Sequence, residues 1–183
     1  MTNNLSRLGG IAAIFGILLS IAYMFNPVFL GFGALAFAVF IFALYRIFNS
    51  ESAGLSLAGA VVGIAGAALL AFLTLTSQFQ TTQSNATQGM AMWAAFFFPP
   101  LVFGYLAYRH PGAGMPRTLG LIGLLGGVFG LLNAIFSLIG GGDWMNPNNP
   151  ALSPFIMGTY LIGMVLMLVW LAWTIILLMR RKD

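Results

Sequence analysis

The chain offers little to do chemistry with: seven Lys+Arg, three Asp+Glu, one His and no Cys in 183 residues. Two arginines and the only histidine nevertheless crowd into one Gly/Pro segment, YLAYRHPGAGMPRTLG (105–120). A histidine beside a carboxylate can move protons, and a pair of arginines can hold an anion. Glu51 is the carboxylate that topology would bring to the same side as His110. One such pair on turns lacks a nucleophile and a shaped pocket, so no catalytic residue is assigned and an enzyme is not expected. Glu51 is expected to pair with Arg46 or Arg117, with His110 as the alternative. The absence of Cys removes disulfides, thiol redox chemistry and Cys-ligated metal. No metal site or cofactor is expected.

The elements that must position these residues are set by composition. The chain is 60% hydrophobic and 5% charged, with a mean hydropathy of +0.98. Soluble domains carry about 25% charged residues. The solvent read from this composition is therefore lipid. Six apolar runs reach the length of a bilayer span, about 20 residues: 8–24, 28–48, 55–76, 90–108, 118–139 and 155–179. Turn formers and polar residues separate them. The fold class is all-α: one polytopic domain over 1–183, with six transmembrane helices in a single bundle. Arg7 and a small-x-small pattern at Ser20–Ala22 imitate a leader peptide. The apolar run continues past that point, and the segment is expected to stay as the first span.

Numbering the sides alternately puts Arg7, Arg46, Arg109, Arg117, Arg180, Arg181 and Lys182 on one side, with only Asp143 as a charge on the other. The positive-inside rule makes the basic side cytoplasmic, in a bacterial cytoplasmic membrane with both termini inside. The crowding of Arg109, His110 and Arg117 is then mainly a topological signal, with ligand binding as the lesser alternative. No basic patch with interleaved aromatics points to nucleic acid.

Within the spans the informative residues are small or neutral. Gly59, Gly63 and Gly66 mark one face of the third span. Gly120, Gly123, Gly127 and Gly130, spaced 3, 4 and 3, mark one face of the fifth. Such faces serve internal packing first and a partner interface second. Pro99 and Pro100 interrupt the fourth span after three phenylalanines, a kink that could line a cavity or act as a hinge. Asn133 is a helix–helix hydrogen-bonding residue, or alternatively a contact for a polar ligand. Apart from Arg46, two residues from the end of the second span, no Asp, Glu, Lys, Arg or His lies inside a span, which argues against proton-coupled transport, retinal chemistry and helix-ligated haem. FALYRIFNSESAGLSLAG (42–59) echoes FGYLAYRHPGAGMPRTLGLIG (103–123) in the same direction. That is the pattern of a parallel repeat, or of two hairpins obeying one topology rule.

Four segments, SRLGGIA (6–12), FALYR (42–46), FGYLAYR (103–109) and MPRTLGLIGLLGG (115–127), carry a resemblance. The chain resembles a family of bacterial six-span membrane proteins filed as a domain of unknown function. The resemblance implies a six-helix inner-membrane bundle and supplies no catalytic residues. The function expected is a non-catalytic membrane protein acting by helix contact, as an accessory subunit or with a second copy of itself. The alternative is a transporter or binder of a neutral or lipophilic small molecule. Because the chain has no cysteine, topology is cleanly testable with Ser50→Cys and Asn148→Cys. In intact cells a membrane-impermeant maleimide is expected to label position 148 and not position 50. The opposite pattern would reverse the orientation.

Overall fold

The computed structural model describes residues 2–76, 86–111, 115–140 and 150–180, and those residues are helical apart from short turns. The helices are α1 (Thr2–Ala22), α2 (Val28–Phe48), α3 (Ala53–Leu75), α4 (Ala86–Phe96), α5 (Phe98–Arg109), α6 (Arg117–Gly140) and α7 (Ser153–Arg180). Six segments are long and apolar enough to cross a membrane, with α4 and α5 acting together as one of them. Asp143, Arg181 and Lys182 lie outside the described residues.

Hydropathy and helix limits diverge at the ends. The first apolar run begins at residue 8, but α1 already includes Thr2 and Asn4, because backbone bonding continues past the apolar stretch. At the other end the helix tightens: Met24 and Phe25 donate to Ile21 and Ala22 carbonyls three residues back. Asn26 Oδ1 then accepts from Val28 N–H at 2.9 Å and starts α2.

The larger difference is in the fourth span. The sequence expects one kinked helix over 90–108, and the chain forms two. The break falls at Phe97, and Pro99 and Pro100 lie in the first turn of α5. A first-turn proline gives up an N–H that has no intrahelical partner anyway, so this placement minimises the penalty. The two halves stay coupled through Phe97, whose N–H donates to Trp93 and whose carbonyl accepts from Leu101.

The helices form a closed ring. Each packs antiparallel on the next, α1 on α2, α2 on α3, α3 on α4 and α5, α5 on α6, and α6 on α7, and α7 returns to α1. This order gathers Arg7, Arg46, Arg109, Arg117 and Arg180 at one end of the bundle, the arginine end.

A glycine sits at every joint of the ring. A Cβ on Gly16 would lie 2.6 Å from the Phe37 ring, one on Gly31 would collide with Thr74, and one on Gly10 would meet Met179 at 3.2 Å. Across α3, a Cβ on Gly63 would stand 2.7 Å from Pro99 Cγ, and one on Gly66 2.6 Å from Ala94 Cβ. On the other flank, a Cβ on Gly127 would reach 2.6 Å from Leu101 Cα. Gly126 and Gly163 join α6 to α7 at looser spacing. Helix backbones can approach this closely only without side chains.

The aromatic fill of the ring's interior comes mainly from α2. Phe37 meets Phe96 edge-on at 5.1 Å, Phe40 meets Trp170 at 6.0 Å, and Phe48 lies 5.9 Å from Phe103. Phe40, Phe48, Phe103 and Trp170 are fully buried. Gly127→Leu would drive a branched chain into the Leu101 backbone. It is expected to destabilise the folded monomer by about 1–3 kcal/mol. Gly54→Leu, where a Cβ meets nothing within 4 Å, is expected to change stability by less than about 0.5 kcal/mol. Reversible unfolding in mixed micelles measures both.

Candidate functional site

Two regions bring the residues of interest together. The first surrounds the α4–α5 break. Pro99 and Pro100 are both buried, and Pro99 packs on the bare backbone at Gly63. The Phe97 ring lies against Gly130 of α6, and Trp93 meets Phe98 edge-on at 5.4 Å. Asn133, three residues past Gly130, faces the other way, towards α7. Its Nδ2–H donates to the Ile156 carbonyl at 2.8 Å. Thr159 Oγ1 shares that carbonyl at 3.1 Å and donates to Phe155 at 2.7 Å. Asn133 therefore ties α6 to the start of α7 and does not converge with Pro99 and Pro100.

The glycines named from the sequence are all occupied within the chain. Gly59 packs on Val102 and Phe103, and Gly63 on Pro99 and Ile41. Gly120 abuts the backbone of Ala107 and Tyr108, while Gly127 and Gly130 abut Leu101 and Phe97. Gly123 turns from that line to seat the Trp170 indole of α7, where a Cβ would fall 2.5 Å from Nε1. Span four is thus held between two glycine faces, one on α3 and one on α6.

Polar atoms inside the bundle divide into two sets. Ser56, Thr74 and Thr159 donate to carbonyls three or four residues back on their own helices. Ser20 Oγ, Trp93 Nε1, Trp170 Nε1 and Thr174 Oγ1 are buried without a hydrogen-bond partner among the described residues. Trp170 and Thr174 stand one turn apart on α7, both fully buried.

The second region is the arginine end. Glu51, in the α2–α3 turn, faces His110 at the end of α5, with Oε2 3.6 Å from Nδ1. The expected partners Arg46 and Arg117 make no ion pair with it among the described residues. The ring places the α2–α3 turn beside the end of α5, and Arg117 is drawn elsewhere. Its Nε–H donates to the Tyr108 carbonyl at 3.2 Å, and its Cζ lies 4.8 Å from the centre of the Tyr108 ring. Arg46 and Arg109 are exposed in the last turns of α2 and α5, where a cation meets the negative end of the helix dipole. Among the described residues no three His, Cys, Asp or Glu side chains gather as metal ligands.

No family model, no curated protein and no solved structure matches the chain. The reading of function therefore rests on this geometry.

Sequence reasoning did not identify Trp170 as the central side chain, or α2 as the source of the aromatic fill. The aromatic positions Phe37, Phe40 and Phe48 were a usable signal for α2. The seat for Trp170 is a single glycine on another helix, which no spacing within α7 reveals. Asn133→Ala is expected to cost about 0.5–1.5 kcal/mol of stability, the range for hydrogen bonds between helices in lipid. Thr174→Val replaces an unpartnered hydroxyl with a methyl of similar size and is expected to be neutral or stabilising. Unfolding titrations of the two variants beside the parent check both signs.

Proposed function

We propose that the chain is a non-catalytic integral membrane protein of a bacterial cytoplasmic membrane, with both termini cytoplasmic. It acts by contact through its lipid-facing surface, as an accessory or assembly subunit or in complex with a second copy. The supporting observation is the filled interior. Phe40, Phe48, Phe103 and Trp170 occupy the ring axis towards the arginine end, all fully buried. A solute moving along that axis would have to displace this layer. The side chains left to interact with anything else are on the outside. The absence of Asp, Glu, Lys, Arg and His from the middle of the helices supports the same reading, and so does the resemblance to the six-span family.

One observation favours a second reading, a binder or transporter of a neutral or lipophilic molecule. Among the described residues Trp93 Nε1 and Ser20 Oγ are buried without partners, in the half of the bundle away from the arginine end. Trp93 adjoins the α4–α5 break. A neutral ligand carrying a carbonyl or hydroxyl could satisfy such donors.

Extraction in mild detergent followed by native mass spectrometry separates the two. The contact reading predicts a stoichiometric partner protein or a second copy. A lone monomer retaining a small neutral molecule would overturn it, and loss of that molecule in Trp93→Phe would establish the second reading.

A further inference from the structure

We infer that Arg117, docked on Tyr108 at the arginine end, is a binding site for the phosphate of an anionic phospholipid. The inference rests on the membrane reading above.

Arg117 is the first residue of α6, directly after Pro116. Its Nε–H bonds to the Tyr108 carbonyl at 3.2 Å and its Cζ stacks 4.8 Å from the Tyr108 ring centre. Both anchors belong to the preceding helix, nine residues upstream. They fix the plane of the guanidinium before any ligand arrives. A free arginine loses rotamer freedom on binding, and this one has already lost much of it. The stacking and the Nε bond leave the two terminal amino groups of the fork, whose spacing suits two phosphate oxygens.

Among the described residues the charge has no carboxylate counterion. Among the described residues the only ion pair is between Glu51 and His110, and no carboxylate lies within 4.0 Å of Arg117. Arg117 also heads a continuous exposed apolar stripe. Leu121, Leu125 and Val128 follow at four, eight and eleven residues, 42%, 39% and 37% exposed. Those positions share one face of α6. A phosphate held at Arg117 would therefore carry an acyl chain down Leu121, Leu125 and Val128. A free anion would use the fork and leave the stripe unused. This combination of a fixed fork, no counterion among the described residues and an apolar track favours a lipid.

Arg46 is the internal control. It is an exposed arginine at the same end, in the last turn of α2. The full chain is reconstituted into nanodiscs of phosphatidylcholine with a minor share of phosphatidylglycerol, and the lipid retained is counted by native mass spectrometry. High salt, about 0.5 M, screens the diffuse attraction of the basic end more than a direct contact. The parent is expected to retain phosphatidylglycerol selectively. Arg117→Gln should lower that retention by about tenfold and Arg46→Gln by less than about twofold. Tyr108→Leu keeps the carbonyl but removes the ring, and a loss of about threefold is expected. Equal losses in Arg117→Gln and Arg46→Gln would overturn the site and leave only a diffuse basic surface. Displacement of the lipid by millimolar inorganic phosphate would overturn the lipid as ligand in favour of a free anion. Failure of the parent to enter nanodiscs would overturn the membrane reading itself, and is distinguishable from insertion without headgroup preference.

Discussion

In hydrocarbon a helix gains nothing by hiding a leucine, because the lipid is as apolar as the neighbouring helix. What holds helices together there is close approach of backbones and the dispersion contacts that follow. On the membrane reading proposed above, the whole structure depends on this constraint. Each joint of the ring has a glycine where a Cβ would collide or press closely, from Gly16 against Phe37 to Gly10 against Met179. Exposed leucine, isoleucine and phenylalanine cover the outside without penalty in such a solvent.

The fourth span shows the constraint most sharply. It is gripped by Gly59, Gly63 and Gly66 on one flank and by Gly120, Gly127 and Gly130 on the other. Two prolines inside one continuous helix would leave the carbonyls of Ala95 and Phe96 without their helical donors. Breaking at Phe97 instead turns the prolines into first-turn residues and aims the Phe97 ring at Gly130. The glycine faces let the broken span pack as closely as an unbroken one. They also explain why the interior can be filled from α2, since closely drawn neighbours leave a space that Phe37, Phe40 and Phe48 can cross.

The architecture was largely legible in the sequence and the candidate site much less so. Six spans follow from apolar length alone, and the 3-4-3 spacing of Gly120 to Gly130 reads directly as one packed face. Spacing names a face but not its partner, so nothing in it told that Gly123 seats Trp170 while its neighbours seat span four. Pro99 and Pro100 announced an interruption. Its position two residues upstream of Pro99 depends on the benefit of placing prolines in a first turn, which acts on the whole segment. From the sequence Glu51 is matched to two cations expected on its own side of the bundle, Arg46 and Arg117. The ring order decides instead that His110 faces it. Arg117 meets Tyr108 across a Gly/Pro turn whose path no periodicity describes.

Closure of the ring is the central claim, and the joint between α1 and α7 carries it, because those helices are the most distant in sequence. A Cβ on Gly10 would lie 3.5 Å from Leu178 Cβ, at the lower edge of the distance that a disulfide spans. The chain contains no other cysteine, so Gly10→Cys with Leu178→Cys gives an unambiguous pair. Mild oxidation in the membrane is predicted to yield a monomer lighter by two hydrogens, with positions 10 and 178 joined in one cross-linked peptide. Two free thiols after oxidation, or cross-links only between chains, would contradict a closed ring.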